Sequence, residues 1–358
     1  MILAAVFQFV QGRPGLGQIA NQGLSVAVSH AGIGQSLGGT FSCASRHCPA
    51  NSVYPGTEVG YQGCGENTVC RIMDRMSPNG GEITHVSDTA LMVAACRAHE
   101  TELEDAFVHD PFAARLAAER GFAILAALPH SNVVRLGIAI RTRFVDELLL
   151  EALAMCAIVT VLSVGCGLDT RPWRLELPSD LRWIEIDFSD VLDYKDRLMS
   201  GETLRCRRER LTLDVNDPAQ RSAMYEAAGS APALMITEGL LMYLPAATVE
   251  ALATETRSHS SVVHWISDIT TSAFSRVLGG GSDTTKPIRH VQASDALKGE
   301  QILEVVRRNG WTTSALRSYI TDVGFVLERV RRAMGGVAPP PLPFPPNDST
   351  GVHRFGCR

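Results

Sequence analysis

The sequence predicts an α/β protein built on a mostly parallel, doubly wound sheet, with an N-terminal helical cover ahead of it. Three observations carry that prediction. Short β-branched apolar runs recur from residue 158 onward with helix-length segments between them, the first run ends in Gly165-Cys166-Gly167, and helical stretches precede it with no strand among them. Strands that alternate with helices pair in parallel through crossovers, and the crossovers cover both faces of the sheet.

Over residues 88–107 and 111–128 apolar side chains return every three or four positions, the period of a helix with one buried face. Asp110-Pro111 reads as an N-cap followed by proline at the first helical position, where a missing N–H costs nothing. A third helix is expected over 133–155, carrying Arg141, Arg143 and Asp146. Residues 158–164 then read as a buried parallel strand, and further strands are expected over 181–186, 208–213, 233–237 and 261–266. Beyond them, 300–308 reads as a helix closed by Asn309-Gly310, and 325–330 as a late strand.

The chain has 358 residues, 45% of them apolar and 20% charged, an ordinary globular balance that excludes collagen-like, wholly disordered and disulfide-scaffold classes. A net charge of −5 argues against a protein held to nucleic acid by bulk electrostatics. No apolar run is long enough to cross a bilayer, and the apolar opening lacks the cationic start and cleavage signature of a signal peptide, so a cytoplasmic protein is expected. Nine scattered cysteines suit reduced thiols. Cys43, Cys48, Cys64 and Cys70, with His47 nearby, are spaced too widely for a structural zinc site, and no metal is expected.

Charge is unevenly spread. Only seven charged side chains (Arg13, Arg46, Glu58, Glu66, Arg71, Asp74 and Arg75) fall in the first 75 positions. Residues 1–86 are therefore expected to be a loosely attached extension, with Met73 or Met76 as a candidate start. Residues 87–334 form the expected working domain. Residues 335–358, with Pro339, Pro340, Pro341, Pro343, Pro345 and Pro346, form an expected proline-rich tail.

In an open parallel sheet the ligand crevice lies beyond the carboxyl ends of the strands. The first strand ends in Gly165-Cys166-Gly167-Leu168-Asp169-Thr170-Arg171, where glycines permit a tight turn and close approach to a ligand. Asp187 ends the second strand twenty residues after Gly167, the spacing of a carboxylate that binds a ribose diol. Asp214 followed by Val215 ends the third, and Glu238 the fourth. A dinucleotide site wants a third glycine where Thr170 stands, and no phosphate-loop motif is present. The set therefore suits a nucleoside without a phosphate anchor, such as S-adenosyl-L-methionine. A nicotinamide-dependent oxidoreductase and a catalytically silent nucleoside-binding protein are the alternatives.

Each residue also has a plainer reading: Arg141 as a surface charge, Asp169 as a helix cap, Asp187 and Asp214 as loop residues, and Tyr243 as core packing rather than acceptor-pocket lining. Glu238 resists one, because a carboxylate directly after an apolar strand needs a partner, which a cationic ammonium or sulfonium would provide. Cys166 has no histidine near it in sequence to act as a base and reads as a packed thiol.

Three motifs in order, Ser163-Val164-Gly165-Cys166-Gly167-Leu168-Asp169-Thr170-Arg171, Trp183-Ile184-Glu185-Ile186-Asp187 and Thr237-Glu238-Gly239-Leu240-Leu241-Met242-Tyr243-Leu244, resemble the leucine carboxyl methyltransferase family, whose bacterial members include polyketide carboxyl O-methyltransferases. The resemblance runs over residues 87–330. It implies a class I, Rossmann-like methyltransferase that uses S-adenosyl-L-methionine to methylate a carboxylate of a small molecule or peptide. It also implies the cofactor-binding residues: Arg141, with Arg143 as the less favoured choice, for the methionine carboxylate; Gly165 facing the amino-acid part; Asp187 for the ribose; Asp214 and Val215 around the adenine; and Glu238 for the amino group. Cys166 stands where the family usually has Ala, and Val215 where Leu is common. A carboxylate acceptor is already ionised at neutral pH, which agrees with the lack of an evident base.

Overall fold

The computed structural model describes residues 81–278, 286–337, 344 and 347–357. Three helices come first: α1 (Val86–Thr101), α2 (Ala113–Ala127) and α3 (Ser131–Met155). Asp88 starts α1 by accepting the backbone N–H groups of Thr84 at 2.7 Å and His85 at 3.2 Å, which satisfies donors that have no partner inside the helix. The N-cap of α2 falls at Phe112, two residues after Asp110, but Asp110 Oδ1 still accepts the N–H of Phe112 at 3.1 Å. Its other oxygen is buried against Arg97 Nε at 2.8 Å and Thr170 Oγ1 at 2.7 Å, tying the helical cover to the turn after the first strand.

The sheet then builds through β1 (Thr160–Val164), α4 (Arg171–Arg174), β2 (Arg182–Asp187), α5 (Ser189–Leu198), β3 (Arg207–Thr212), α6 (Pro218–Ala228), β4 (Ala233–Thr237), α7 (Ala246–Ser258) and β5 (Val262–Ile269). It is completed by α8 (Ser272–Leu278), α9 (Gly299–Arg308), β6 (Trp311–Ser318), α10 (Gly324–Ala333) and β7 (Gly351–Cys357). Among the described residues the strands form one sheet of order β3-β2-β1-β4-β5-β7-β6. The first five strands are parallel, and β7 runs antiparallel to both β5 and β6. Strand order reverses at β1, which opens a crevice between the carboxyl ends of β1 and β4.

The central strands β1 and β4 are buried at every position because helices cover both faces, whereas β3 (Arg207–Thr212), at the sheet edge, is mostly charged and exposed. Leu162, Ile184, Met235, Trp265 and Phe355 unite five strands in the main core, to which Trp311 adds β6. A second core joins the cover to the sheet, with Leu91, Ala94, Leu116 and Ile124 packed near Leu168, Trp173 and Tyr194.

Two expectations change. Residues 325–330 belong to helix α10, in which Val326 and Val330, four apart, share the buried face; so short an apolar run has no period that separates strand from helix. The domain also does not end at 334, because β7 lies inside the sheet, paired from Gly351 with Ile269 to Gly356 with His264. The expected tail at 335–358 therefore contains a strand of the domain. Strand β6, which the sequence reading did not anticipate, reaches the sheet only through β7. Residues 1–80 of the expected extension, including Met73, Met76, His47 and the four cysteines beside it, lie outside the described residues, as do the prolines at 339–346.

Candidate active site

A cavity of about 740 Å³ opens over the carboxyl ends of β1, β2, β4 and β5 beneath α1 and the first half of α3. Its floor is the turn after β1, where Gly165 and Gly167 have φ of +62° and +49°, the left-handed region that glycine enters without strain. A Cβ built on Gly165 would lie 2.8 Å from Leu240 Cδ1, so a side chain there would have to displace Leu240 as well as adopt a strained φ.

Asp187 closes one end of the floor. Its Oδ2 accepts the N–H of Gly167 at 2.7 Å and its Oδ1 that of Phe188 at 2.8 Å. Burial pushes this carboxyl above the ordinary carboxylate range, and the two N–H bonds act against that shift. Each oxygen retains a further lone pair for a hydroxyl donor.

The other end holds a charged cluster. Glu238 accepts from Arg141 Nε at 2.9 Å and pairs with Arg171 Nη2 at 2.8 Å. Burial alone would raise its carboxyl, yet the Arg171 and Arg141 guanidiniums hold it down at about 2, so it is ionised at neutral pH. Arg171, 2% exposed, also pairs with Asp146 at 2.6 Å and Asp169 at 3.0 Å. Asp268, at the end of β5, accepts the N–H of Gly239 at 2.6 Å and lies 3.7 Å from Arg141 Nη1. Two guanidiniums (Arg141, Arg171) and two carboxylates (Glu238, Asp268) thus line the same end of the cavity, groups of both signs for an amino acid zwitterion, while a carboxylate that can take a diol stands at the other. The residues fit S-adenosyl-L-methionine.

Of the residues singled out in the sequence, Arg141, Gly165, Asp187 and Glu238 meet in this cavity wall, as does Tyr243. Asp214 and Val215 are not part of the wall. Asp214 Oδ1 is engaged by the N–H of Asn216 at 2.9 Å, and Val215 packs in the main core, although both follow Leu213, whose N–H reaches Asp187 O at 3.3 Å. Arg143 turns away to Glu147 at 2.8 Å and the Phe325 ring at 4.1 Å. The Cys166 thiol sits 3.4 Å from the buried Lys195 ammonium, and burial pushes it well above the usual thiol range, as for a packed rather than a nucleophilic cysteine. Thr170, in the third-glycine position, is fully buried.

Sequence reasoning missed Arg171, Asp268 and Tyr319. Arg171 is the last residue of the glycine-turn motif, and Asp268 would have emerged from following the strand-end rule through β5. Tyr319 follows β6, an element absent from the sequence reading.

Comparison with known proteins identifies the family. The leucine carboxyl methyltransferase family profile matches residues 90–256. A Streptomyces avermitilis protein assigned by name as an S-adenosyl-L-methionine-dependent methyltransferase is 34% identical over 52% of this chain and 68% of its own length. A Frankia alni protein with the same assignment is 36% identical over 50% of this chain and 64% of its own. A crystal structure of a DUF574-family protein from Streptomyces avermitilis superposes with a TM-score of 0.50 at 11% identity, covering 75% of this chain and 97% of that one. The fold is that of a Rossmann-like class I methyltransferase, dependent on S-adenosyl-L-methionine. The chain belongs to the leucine carboxyl methyltransferase family.

Proposed function

We propose that this protein transfers a methyl group from S-adenosyl-L-methionine to a carboxylate oxygen of a small molecule or peptide. The observation that carries the reading is the Arg141–Glu238 pair facing the glycine turn, with Asp187 at the far end of one cavity. When bound, the cofactor supplies a methyl group on a sulfonium, already a good leaving group. Arg141 holds the cofactor's carboxylate and Glu238 its ammonium, with Arg171 and Asp268 fixing the orientation of both side chains. Asp187 takes the ribose hydroxyls, and Gly165 lets the backbone approach.

The remaining task is to orient the acceptor and exclude water, and proximity of that kind supplies much of the rate in a displacement of this type. A carboxylate acceptor needs no base. The net charge of −5 favours a small acceptor over nucleic acid. Among the described residues no helix is long and apolar enough to cross a membrane. Calorimetric titration with S-adenosylmethionine, S-adenosylhomocysteine and NAD tests the site, and tighter binding of NAD would overturn it. Transfer of labelled methyl to carboxylic acids tests the reaction: the product label is expected to be base-labile, as an ester is, and a base-stable label would exclude the carboxylate acceptor.

A further inference from the structure

Away from the cavity, one thiol faces a base. Cys156 closes α3 as its C-cap, near the amino ends of the parallel strands, and neither it nor His264 of β5 lines the cavity. Cys156 Sγ lies 3.3 Å from His264 Nε2. The other ring nitrogen, Nδ1, lies 3.4 Å from Phe355 O, and a carbonyl only accepts, so Nδ1 carries the ring hydrogen and Nε2 offers its lone pair to the thiol. Both side chains are half-buried, and Ala154, Met155 and Ala157 beside the thiol are exposed, so the segment that carries it is at the surface.

Arg354 of β7 sets the charge around this pair. It stands on the same face of the sheet as His264, since its strand partner Ile266 is two residues from His264. It is 7% exposed, its Nη1 has no hydrogen-bond partner, and no carboxylate pairs with it among the described residues. The other charges on the elements packed here are matched, Glu147 and Glu151 of α3 by Arg317 of β6. A buried cation without a counter-ion favours an anion beside it, and a thiolate is one. Burial, and after it the Arg354 charge, holds His264 below the usual histidine range against the pull of the Phe355 bond, so the ring is neutral and free to take a proton. Cys96, Cys166 and Cys206 lack this setting: burial pushes Cys96 up to about 12, Cys206 to about 11 and Cys166 well above the usual thiol range.

We propose that Cys156 is a site of thiol–disulfide exchange with a low-molecular-weight disulfide, and that His264 is its base. The thiol proton passes to His264 Nε2, and the Cys156 sulfur attacks one sulfur of the disulfide. A new S–S bond to Cys156 forms as the bond of the incoming disulfide breaks, and the released thiolate takes the proton from His264. Cys156 is oxidised and the departing thiol is reduced, so the exchange balances with no other oxidant.

The test exposes the full chain to glutathione disulfide and follows mixed disulfides by peptide mass mapping, for wild type and His264→Gln. At pH 7 the adduct is expected to form on Cys156 at least about 10-fold faster than on Cys96, Cys166 or Cys206, and dithiothreitol should release it. His264→Gln is expected to slow the Cys156 adduct by about 10-fold, as the thiolate fraction falls to the few per cent of an ordinary thiol. The wild-type rate should level off below about pH 8, whereas the variant's should keep rising through the ordinary thiol value of about 8.5. The wild-type profile needs no variant to fold: a Cys156 rate that climbs through about 8.5 like that of a free thiol would overturn the proposal. So would an adduct on Cys156 no faster than on the three buried cysteines, or an equal rate in a His264→Gln protein that melts as wild type does.

Discussion

Gly167 and Asp187 are joined by a 2.7 Å hydrogen bond from backbone to carboxylate, so the turn after β1 and the end of β2 move as one unit. The ligand that uses Asp187 therefore meets a carboxylate already oriented, with part of the ordering cost met during folding.

Asp187→Ala is expected to weaken S-adenosylmethionine binding by about 10-fold or more, since a hydrogen-bonded charged partner is lost and the glycine turn is released. Asp187→Asn should retain more affinity than Ala. Calorimetry reads both, and wild-type affinity in the alanine variant would remove Asp187 from the site.

Glu238 links binding to acid stability. Its carboxyl is held at about 2, below the ordinary 4.5, so its contribution is complete above about pH 4.5 and is lost as pH falls through about 2. The shift corresponds to at most about 3 kcal/mol. Glu238→Gln should flatten the stability profile across that window, measured by urea denaturation at stepped pH, and an unchanged slope would show that the ion pairs do not stabilise the fold.

Gly121 of α2 touches the backbone of α1 closely: a Cβ there would lie 2.4 Å from Leu91 O. Gly121→Ala should cost about 1–3 kcal/mol by forcing the two helices apart. Thermal denaturation would show a lowered Tm, and the change should also raise the KM for acceptor because α1 forms part of the cavity roof.

Removing residues 351–358 takes β7 out from between β5 and β6. The shortened chain is expected to lose cooperative melting, with Phe355, fully buried in the main core, among the groups lost. A sharp melt near the wild-type Tm would contradict this.

What could be read from the sequence follows the range of the interactions. The glycine turn, Asp187 and Glu238 each sit at the end of a local apolar run, and a strand end is a local signal. The partners of Glu238 are not local: Arg141 precedes it by 97 residues and lies on a helix whose polar positions look like ordinary surface. Residues 351–357 contain two glycines, His353 and Arg354, a poor strand by composition, and they pair because β5 and β6 present two open edges to them. Asp214 and Val215 show the opposite limit, since being at a strand end placed them beside Asp187 without placing them in the cavity wall.

The position of β7 also sets an order of assembly. Strand β6 pairs with β7 and with no other described strand, so it has no edge to join until residues 351–357 have been synthesised. The parallel strands and their carboxylates can assemble earlier on the ribosome. Tyr319, carried directly after β6, takes its place last, so a growing chain builds the carboxyl ends of its parallel strands before this last piece of the cavity wall.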